Sequence, residues 1–247
     1  MRIVGVIPAR YKSSRFPGKP LIELVGIPMI IRVAMIVEKA LGKKHTYIAT
    51  DDQRIQELAE SYGYNAVMTS EHCLTGTDRV WEFSKQIDAD IYVNVQGDEP
   101  LLNYKDILKV AETKKKNKDY IINGMCSIGI DEDVNNVNIP KVLVNDKNKL
   151  IYMSRLPIPG MKSNKNELPI YKKQVCIYGF NNKELKAFGK KNIKSTYEDF
   201  EDIEILRFFD LGIPIKMVET SGNSLAVDCP EDVLKVEAEI LRLERDE

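Results

Sequence analysis

Residues 6–21 read VIPARYKSSRFPGKPL. Apolar or small residues from Ile3 to Ile7 end at Pro8, and Arg10, Lys12, Arg15 and Lys19 then follow, interleaved with Ser13, Ser14, Pro17 and Gly18. A buried strand that empties into a basic, glycine-containing loop lets backbone N–H groups approach phosphate oxygens. The cations offset the charge that grows as a phosphoryl bond breaks. Taken alone, the loop also fits a solvated basic surface. Its position directly behind the first strand of an alternating pattern turns the reading toward a phosphate site on an open α/β sheet.

That alternation runs outward from the loop. Pro28 opens a helix whose apolar residues Met29, Ile30, Val33, Ile36, Val37 and Ala40 recur at helical spacing up to Gly42. A strand is expected over His45 to Thr50, then a helix capped by Asp51 or Asp52 and closed by Gly63, then a short strand near Ala66 to Met68. A helix from about Thr77 to Gln86, a central strand over Asp90 to Gln96 and a helix over Tyr104 to Lys116 continue the series. Such a βαβ succession predicts a mostly parallel sheet with helices on both faces, an α/β, Rossmann-like fold.

From about residue 121 to 180 the pattern becomes β-rich, with runs at 121–130, 141–145, 149–154 and 173–180, and it reads as an insertion that leaves and rejoins the core sheet. Asn145 to Lys149 separates two apolar runs, so Val142 to Met153 suits a hairpin, while 160–172 lacks periodicity and reads as a mobile loop. Helices are expected over 182–190 and 198–211, a strand over Pro214 to Glu219, and a last amphipathic helix from Pro230 carrying Val233, Val236, Ile240 and Leu243. Residues 1–247 thus read as one domain.

Composition narrows the function. Lys plus Arg (36) nearly cancels Asp plus Glu (37), so no global field points to nucleic acid or a membrane, and the basic loop is local. No apolar run approaches membrane-spanning length, and the chain enters its first strand with no signal-peptide pattern. Cys73, Cys126, Cys176 and Cys229 are scattered and form no C-x-x-C pair, which argues against zinc and for reduced thiols in a cytoplasm.

Three further segments carry polar chemistry where strands are expected to end. Gln96-Gly97-Asp98-Glu99-Pro100 places a carboxylate behind a glycine, suited either to Mg²⁺ or to capping a helix. Asp228, in Ala226-Val227-Asp228-Cys229-Pro230, repeats the arrangement after a short apolar run and before a helix. Gly76-Thr77-Asp78-Arg79 opens a helix, as an anion or base-edge contact or as a plain cap. Two carboxylates beside a basic loop form a metal–nucleotide constellation. No G-x-G-x-x-G follows the first strand, which speaks against a dinucleotide oxidoreductase.

The segments PARYKSSRFPGKPL (8–21), ATDD (49–52), HCLTGTDR (72–79), NVQGDEP (94–100), MSRLPIP (153–159), EDIEILRF (201–208) and VDCPEDV (227–233) occur in this order. Together they resemble the cytidylyltransferases that activate 3-deoxy-manno-octulosonate (Kdo). The resemblance implies a nucleotide-diphospho-sugar-transferase fold with a β-rich dimerising part, and hence a homodimer. It also implies transfer of CMP from CTP to the anomeric hydroxyl of a 2-keto sugar acid. Carried over by motif, Ala9, Arg10, Ser13 and Lys19 would hold the triphosphate with Arg15 near it. Thr75, Gly76, Thr77 and Arg79 would lie at cytosine and ribose, and Asp98 and Asp228 would bind Mg²⁺, with Arg10, Lys19 and the two aspartates as the catalytic set. Gln96, Arg155, Gln174, Tyr178, Glu204 and Ile205 would face the acid. Two positions depart from the family pattern: Gln174 stands where the family has a histidine, and Ile205 where it has a glutamine. Both departures fall on the acceptor side, which supports activation of a sugar acid by CTP more firmly than it supports Kdo, and makes Kdo a secondary acceptor.

Overall fold

The computed structural model describes residues 1–12, 16–162, 169–222 and 224–246. Ser13 and Arg15 lie outside the described residues, as does much of the expected loop at 160–172.

Strand β1 (Ile3–Ala9) is the axis of the sheet, flanked by β4 (Thr46–Thr50) and β6 (Ile91–Val95), both parallel to it. Strand β5 (Asn65–Met68) adds parallel to β4. On the other side come β10 (Lys172–Phe180), β7 (Ile121–Ser127) and β11 (Ile215–Glu219), giving the order β11-β7-β10-β6-β1-β4-β5. Only β10 runs antiparallel to its neighbours in this path. The mostly parallel sheet expected from the βαβ alternation is therefore present.

The β-rich region differs from its expected bounds. Strands β7 and β10 are interior members of the central sheet. Only β8 (Lys141–Val144) and β9 (Leu150–Ser154), the hairpin turned at Asn145 to Lys149, lie off its path. The chain leaves after β7 and returns as β10, which lies between β6 and β7 and pairs antiparallel with both.

Helices cover both faces, as residues buried on both sides of a strand require. Helices α1 (Met29–Leu41), α2 (Gln53–Ser61) and α4 (Tyr104–Lys116) pack through Ile30, Val37, Ile55 and Val110 against Ile7, Ile48 and Val93. On the opposite face, α3 (Gly76–Ser84), α5 (Asn182–Gly189), α7 (Leu206–Asp210) and the β8–β9 hairpin pack through Phe83, Phe188, Phe208 and Met153 against Val6 and Tyr92. Helix α8 (Pro230–Asp246) closes a third cluster, burying Val236 and Ile240 on Leu24 of the small β2–β3 hairpin (Glu23–Leu24, Ile27–Pro28) and on Met29 at the start of α1. Glu237 accepts the Val25 N–H at 2.9 Å and fixes that docking.

The single helix expected over 198–211 is two, α6 (Thr196–Glu201) and α7, broken at Asp202, which adopts the left-handed conformation (φ 49°). In an unbroken helix the carbonyls of Glu201 and Asp202 would accept from residues four further on. Here the Arg155 guanidinium takes both, so the backbone turns aside between residues 202 and 205.

Candidate active site

The parallel pairing of β1 with β6 brings Ala9-Arg10 and Gln96-Gly97-Asp98 out side by side at the carboxyl edge of the sheet. Gly97 is required there, since a Cβ would stand 2.9 Å from the Pro8 carbonyl oxygen and 3.1 Å from Ile30 Cδ1. The Asp98 carbonyl accepts the Val227 N–H at 3.0 Å, which sets Asp228 beside Asp98. The short strand expected before Asp228 is absent: both edges of β6 are taken by β1 and β10, so residues 226–228 attach by that backbone bond rather than by a ladder.

A cleft of ≈ 750 Å³ opens at this edge. It is lined by Ala9, Arg10, Lys19, Thr75, Gly76, Arg79, Gln96, Asp98, Arg155, Gln174, Tyr178, Glu204 and Asp228, so most of the residues singled out from sequence meet in one place. Thr77 does not reach the cleft. It is fully buried, and its backbone N–H donates to Glu204 Oε2 at 3.0 Å. Ile205 is a correction: its side chain is fully buried in the core under α7, because the break after α6 turns Glu204 outward and its successor inward. Ile205 therefore does not face the acid.

On the β1 side, Lys19 Nζ stands 2.8 Å from Asp98 Oδ2, 2.7 Å from the Val227 carbonyl and 3.9 Å from Asp228 Oδ1. Arg10 is exposed in the cleft and has no ion-pair partner among the described residues. The α3 entrance is held from two directions. Thr75 and Asp78 form a reciprocal cap, and Arg79, almost fully buried, pairs with Asp51 at 2.9 Å and bonds Thr69 Oγ1 at 2.7 Å. Gly76 lies against Gln96, where a Cβ would sit 2.8 Å from Nε2.

The opposite wall is built on β10 and on the α6–α7 break. Gln96 Nε2 donates to Glu204 Oε1 at 2.9 Å, so the two residues meet as a pair. Burial raises the Glu204 carboxyl above its usual range, against the bond from Thr77. Burial likewise pushes the Tyr178 phenol and the Cys176 thiol up, which keeps both neutral donors. Gln174 Nε2 donates to Asn123 Oδ1 at 3.0 Å, and the Asn123 amide in turn bonds the Val175 and Ile177 carbonyls where the β7–β10 register shifts. Arg155 reaches the cleft, and Nε, Nη1 and Nη2 each donate to a carbonyl, those of Glu201, Val137 and Asp202, so it braces the wall.

Several contributors escaped the sequence reading. Cys73, Asn138, Lys194 and Glu198 also line the cleft. Beneath them Arg207, almost fully buried, bonds Glu198 at 2.6 Å through both Nε and Nη2 and Asp78 Oδ1 at 2.7 Å through Nη1. Asp78 and Arg207 each stood in a quoted motif, but no local spacing links residues so far apart. Buried Glu99, next to Asp98, has its carboxyl pushed up to about 7 by burial and then by the Asp98 charge, and Ser224 donates to it.

The arrangement offers hard oxygen donors beside cations on one side and a neutral-to-acidic polar wall on the other. A cytidylyltransferase family model matches residues 4–216 of this chain. The 3-deoxy-manno-octulosonate cytidylyltransferase of Escherichia coli is 34% identical over 96% of this chain and 95% of its own length. The 8-amino-3,8-dideoxy-manno-octulosonate cytidylyltransferase of Shewanella pealeana is 35% identical over 97% and 99%. A solved structure of CMP:2-keto-3-deoxy-manno-octonic acid synthetase complexed with CTP superposes with a TM-score of 0.91 at 34% identity, covering 98% of this chain and 99% of that one. Sequence and architecture agree over nearly the whole length, and the chain belongs to the cytidylyltransferase family.

Proposed function

We propose that this protein transfers CMP from CTP to the anomeric hydroxyl of Kdo or a closely related 2-keto sugar acid. The observation that carries the reading is the meeting, in one cleft, of the Asp98–Lys19–Asp228 cluster with the Gln96–Glu204 pair. In the reaction the acceptor's anomeric oxygen bonds the α-phosphorus, the α–β bridging P–O bond breaks, pyrophosphate leaves with that electron pair, and the hydroxyl proton passes to water. The substrate brings its own nucleophile, so the site needs positioning and charge rather than a protein nucleophile. Arg10 supports the triphosphate reading as an exposed cation at the end of β1.

The donor set suits Mg²⁺. Asp98 and Asp228 converge on one point with the Val227 carbonyl beside it, and a hard divalent ion held by one or two carboxylates completes its shell with water and phosphate oxygens. When bound, Mg²⁺ supplies charge neutralisation along the triphosphate. Glu204 and Gln96 offer an acceptor and a donor to the hydroxyls of the acid, and Gln174 and Tyr178 flank them.

A homodimer is part of the same proposal. The outer side of the β8–β9 hairpin and α6 presents apolar groups, with Phe200 86% and Leu156 66% exposed and Tyr152, Tyr197 and Phe209 clustered ring against ring. Large exposed apolar side chains beside an aromatic cluster support an interaction face. Free cysteines and the nucleotide substrate support a cytoplasmic setting. Among the described residues no helix is long and apolar enough to cross a membrane.

The test is pyrophosphate release with each ribonucleoside triphosphate, Mg²⁺, and a panel of Kdo, its 8-amino-8-deoxy analogue and other sugar acids. Release that requires both CTP and a 2-keto sugar acid is expected. Equal release with other triphosphates, or none with any acid, refutes the reading.

A further inference from the structure

Lys19 is placed with unusual firmness for a residue beside a basic loop. It begins a short 3-10 turn (Lys19–Leu21) behind Gly18, whose φ of 74° lets the chain reverse. The turn is closed by Gly18 N–H to the Tyr11 carbonyl at 2.9 Å and Leu21 N–H to the Gly18 carbonyl at 2.9 Å. From this base the side chain, only 14% exposed, puts its ammonium among three oxygens: Asp98 Oδ2, the Val227 carbonyl and, further off, Asp228 Oδ1. These oxygens come from two separate stretches of chain, residue 98 and residues 227–228. Together they form a hard-oxygen seat, and the chain's own cation sits in it.

We infer that Lys19 holds the divalent-ion seat closed in the CTP-free protein, so that the ion enters only together with the triphosphate that draws the ammonium away. The inference rests on the reading of Asp98 and Asp228 as the metal ligands. A magnesium ion binds its oxygens at about 2.0–2.1 Å. An ammonium 2.8 Å from Asp98 fills the same point, and the two like charges exclude each other. A triphosphate removes the conflict from both ends: it offers Lys19 a more highly charged partner and supplies the ion's missing oxygens. Ion and nucleotide then favour each other's binding, and by linkage the coupling is reciprocal. Ordered entry of this kind keeps the two carboxylates from collecting an ion before a nucleotide arrives.

Mn²⁺ is the probe, with its binding followed by electron paramagnetic resonance in wild type and in Lys19→Met and Lys19→Gln, each with and without saturating CTP and no acceptor. Without CTP, both variants are expected to bind Mn²⁺ about tenfold or more tightly than wild type, as removal of a unit charge within 4 Å of the seat requires. The enhancement of Mn²⁺ affinity by CTP is expected to be about tenfold smaller in the variants, since the seat is already open. Equal Mn²⁺ affinity in wild type and both variants without CTP overturns the inference. So does a gain of the same size with and without CTP, which marks loss of a charge rather than opening of a seat. Asp98→Asn separates the underlying reading: if it leaves Mn²⁺ binding in the presence of CTP intact, the metal ligands are misassigned, whatever Lys19 does. Far-ultraviolet circular dichroism verifies that each variant is folded.

Discussion

Replacing Arg207 with methionine should cost this protein much of its stability. The guanidinium is almost fully buried between two carboxylates, Asp78 and Glu198, themselves 5% and 1% exposed, and its Cζ lies 3.7 Å from the centre of the Phe188 ring. Burial works against its charge, but bonds to Glu198 and Asp78 more than offset this and hold its pKa above the usual guanidinium value. Methionine fills most of the volume and leaves two desolvated carboxylates facing each other. Breaking a buried pair from one side costs about 3–5 kcal/mol. For a chain of this size that lowers Tm by roughly 6–20 °C, at 2–4 °C per kcal/mol. Arg207→Lys should rescue little, since one ammonium cannot make two bidentate contacts. Neutralising the carboxylates in Asp78→Asn/Glu198→Gln/Arg207→Met should restore a substantial part. The assay is urea denaturation followed by circular dichroism, with m-values compared. A loss below about 1 kcal/mol in Arg207→Met, with no gain on neutralisation, refutes the reasoning. Because Glu204 lies in the bend directly before α7, KM for the acid should also rise more than KM for CTP in this variant.

Asp98→Asn and Asp228→Asn should each lower kcat by several decades while Tm stays near wild type; near-wild-type turnover of Asp228→Asn at saturating Mg²⁺ ends the metal reading. In Gly189→Ala the new Cβ would fall 1.8 Å from Cδ1 of Trp81, the sole tryptophan, so a loss of about 1–3 kcal/mol should appear with a shift in tryptophan emission; an unchanged spectrum and Tm contradict this. Burial raises the Glu204 pKa, so the folded state binds its proton more tightly than the unfolded chain. Stability should therefore fall as pH rises from the normal carboxylate range through the raised value, and Glu204→Gln should flatten that slope in Tm against pH. Cys73, half-buried with its thiol pushed up to about 11 by burial, should react with iodoacetamide at pH 8 about a hundredfold more slowly than free cysteine; a comparable rate would refute the shift.

The helical periodicity through Lys116 and the apolar runs between the helices were sufficient to read the main strands and helices from β1 to α4, since each element's burial is dictated by its own residues, while the two-residue strands β2 and β3 are too short to carry a period. The antiparallel direction of β10 was not legible, because a strand buried on both faces looks the same in either direction. Nor was the break between α6 and α7: residues 198–211 keep a helical apolar pattern, and the group that interrupts it is Arg155, 47 positions before Asp202. The misplacement of Ile205 follows from that break, since an uninterrupted helix would present residue 205 differently from the turn that exists. Motif reading brought Lys19, Asp98 and Asp228 to one site, but not the Lys19–Asp98 contact, which depends on the turn behind Gly18.

The two glycines at the nucleotide side have a bearing on how this cleft could be altered in the laboratory. At Gly97 any side chain meets the Pro8 carbonyl, and at Gly76 it crowds the side-chain amide that ties Gln96 to Glu204, so that half offers a mutagenesis library little freedom. The other half is shaped by the side chains of Gln174, Tyr178 and Glu204 on a scaffold pinned by Asn123 and Arg155. Selection for a new acceptor should therefore accumulate changes around residues 174–178 and 204, leaving residues 76 and 97 untouched, and nucleotide preference should resist the same selection.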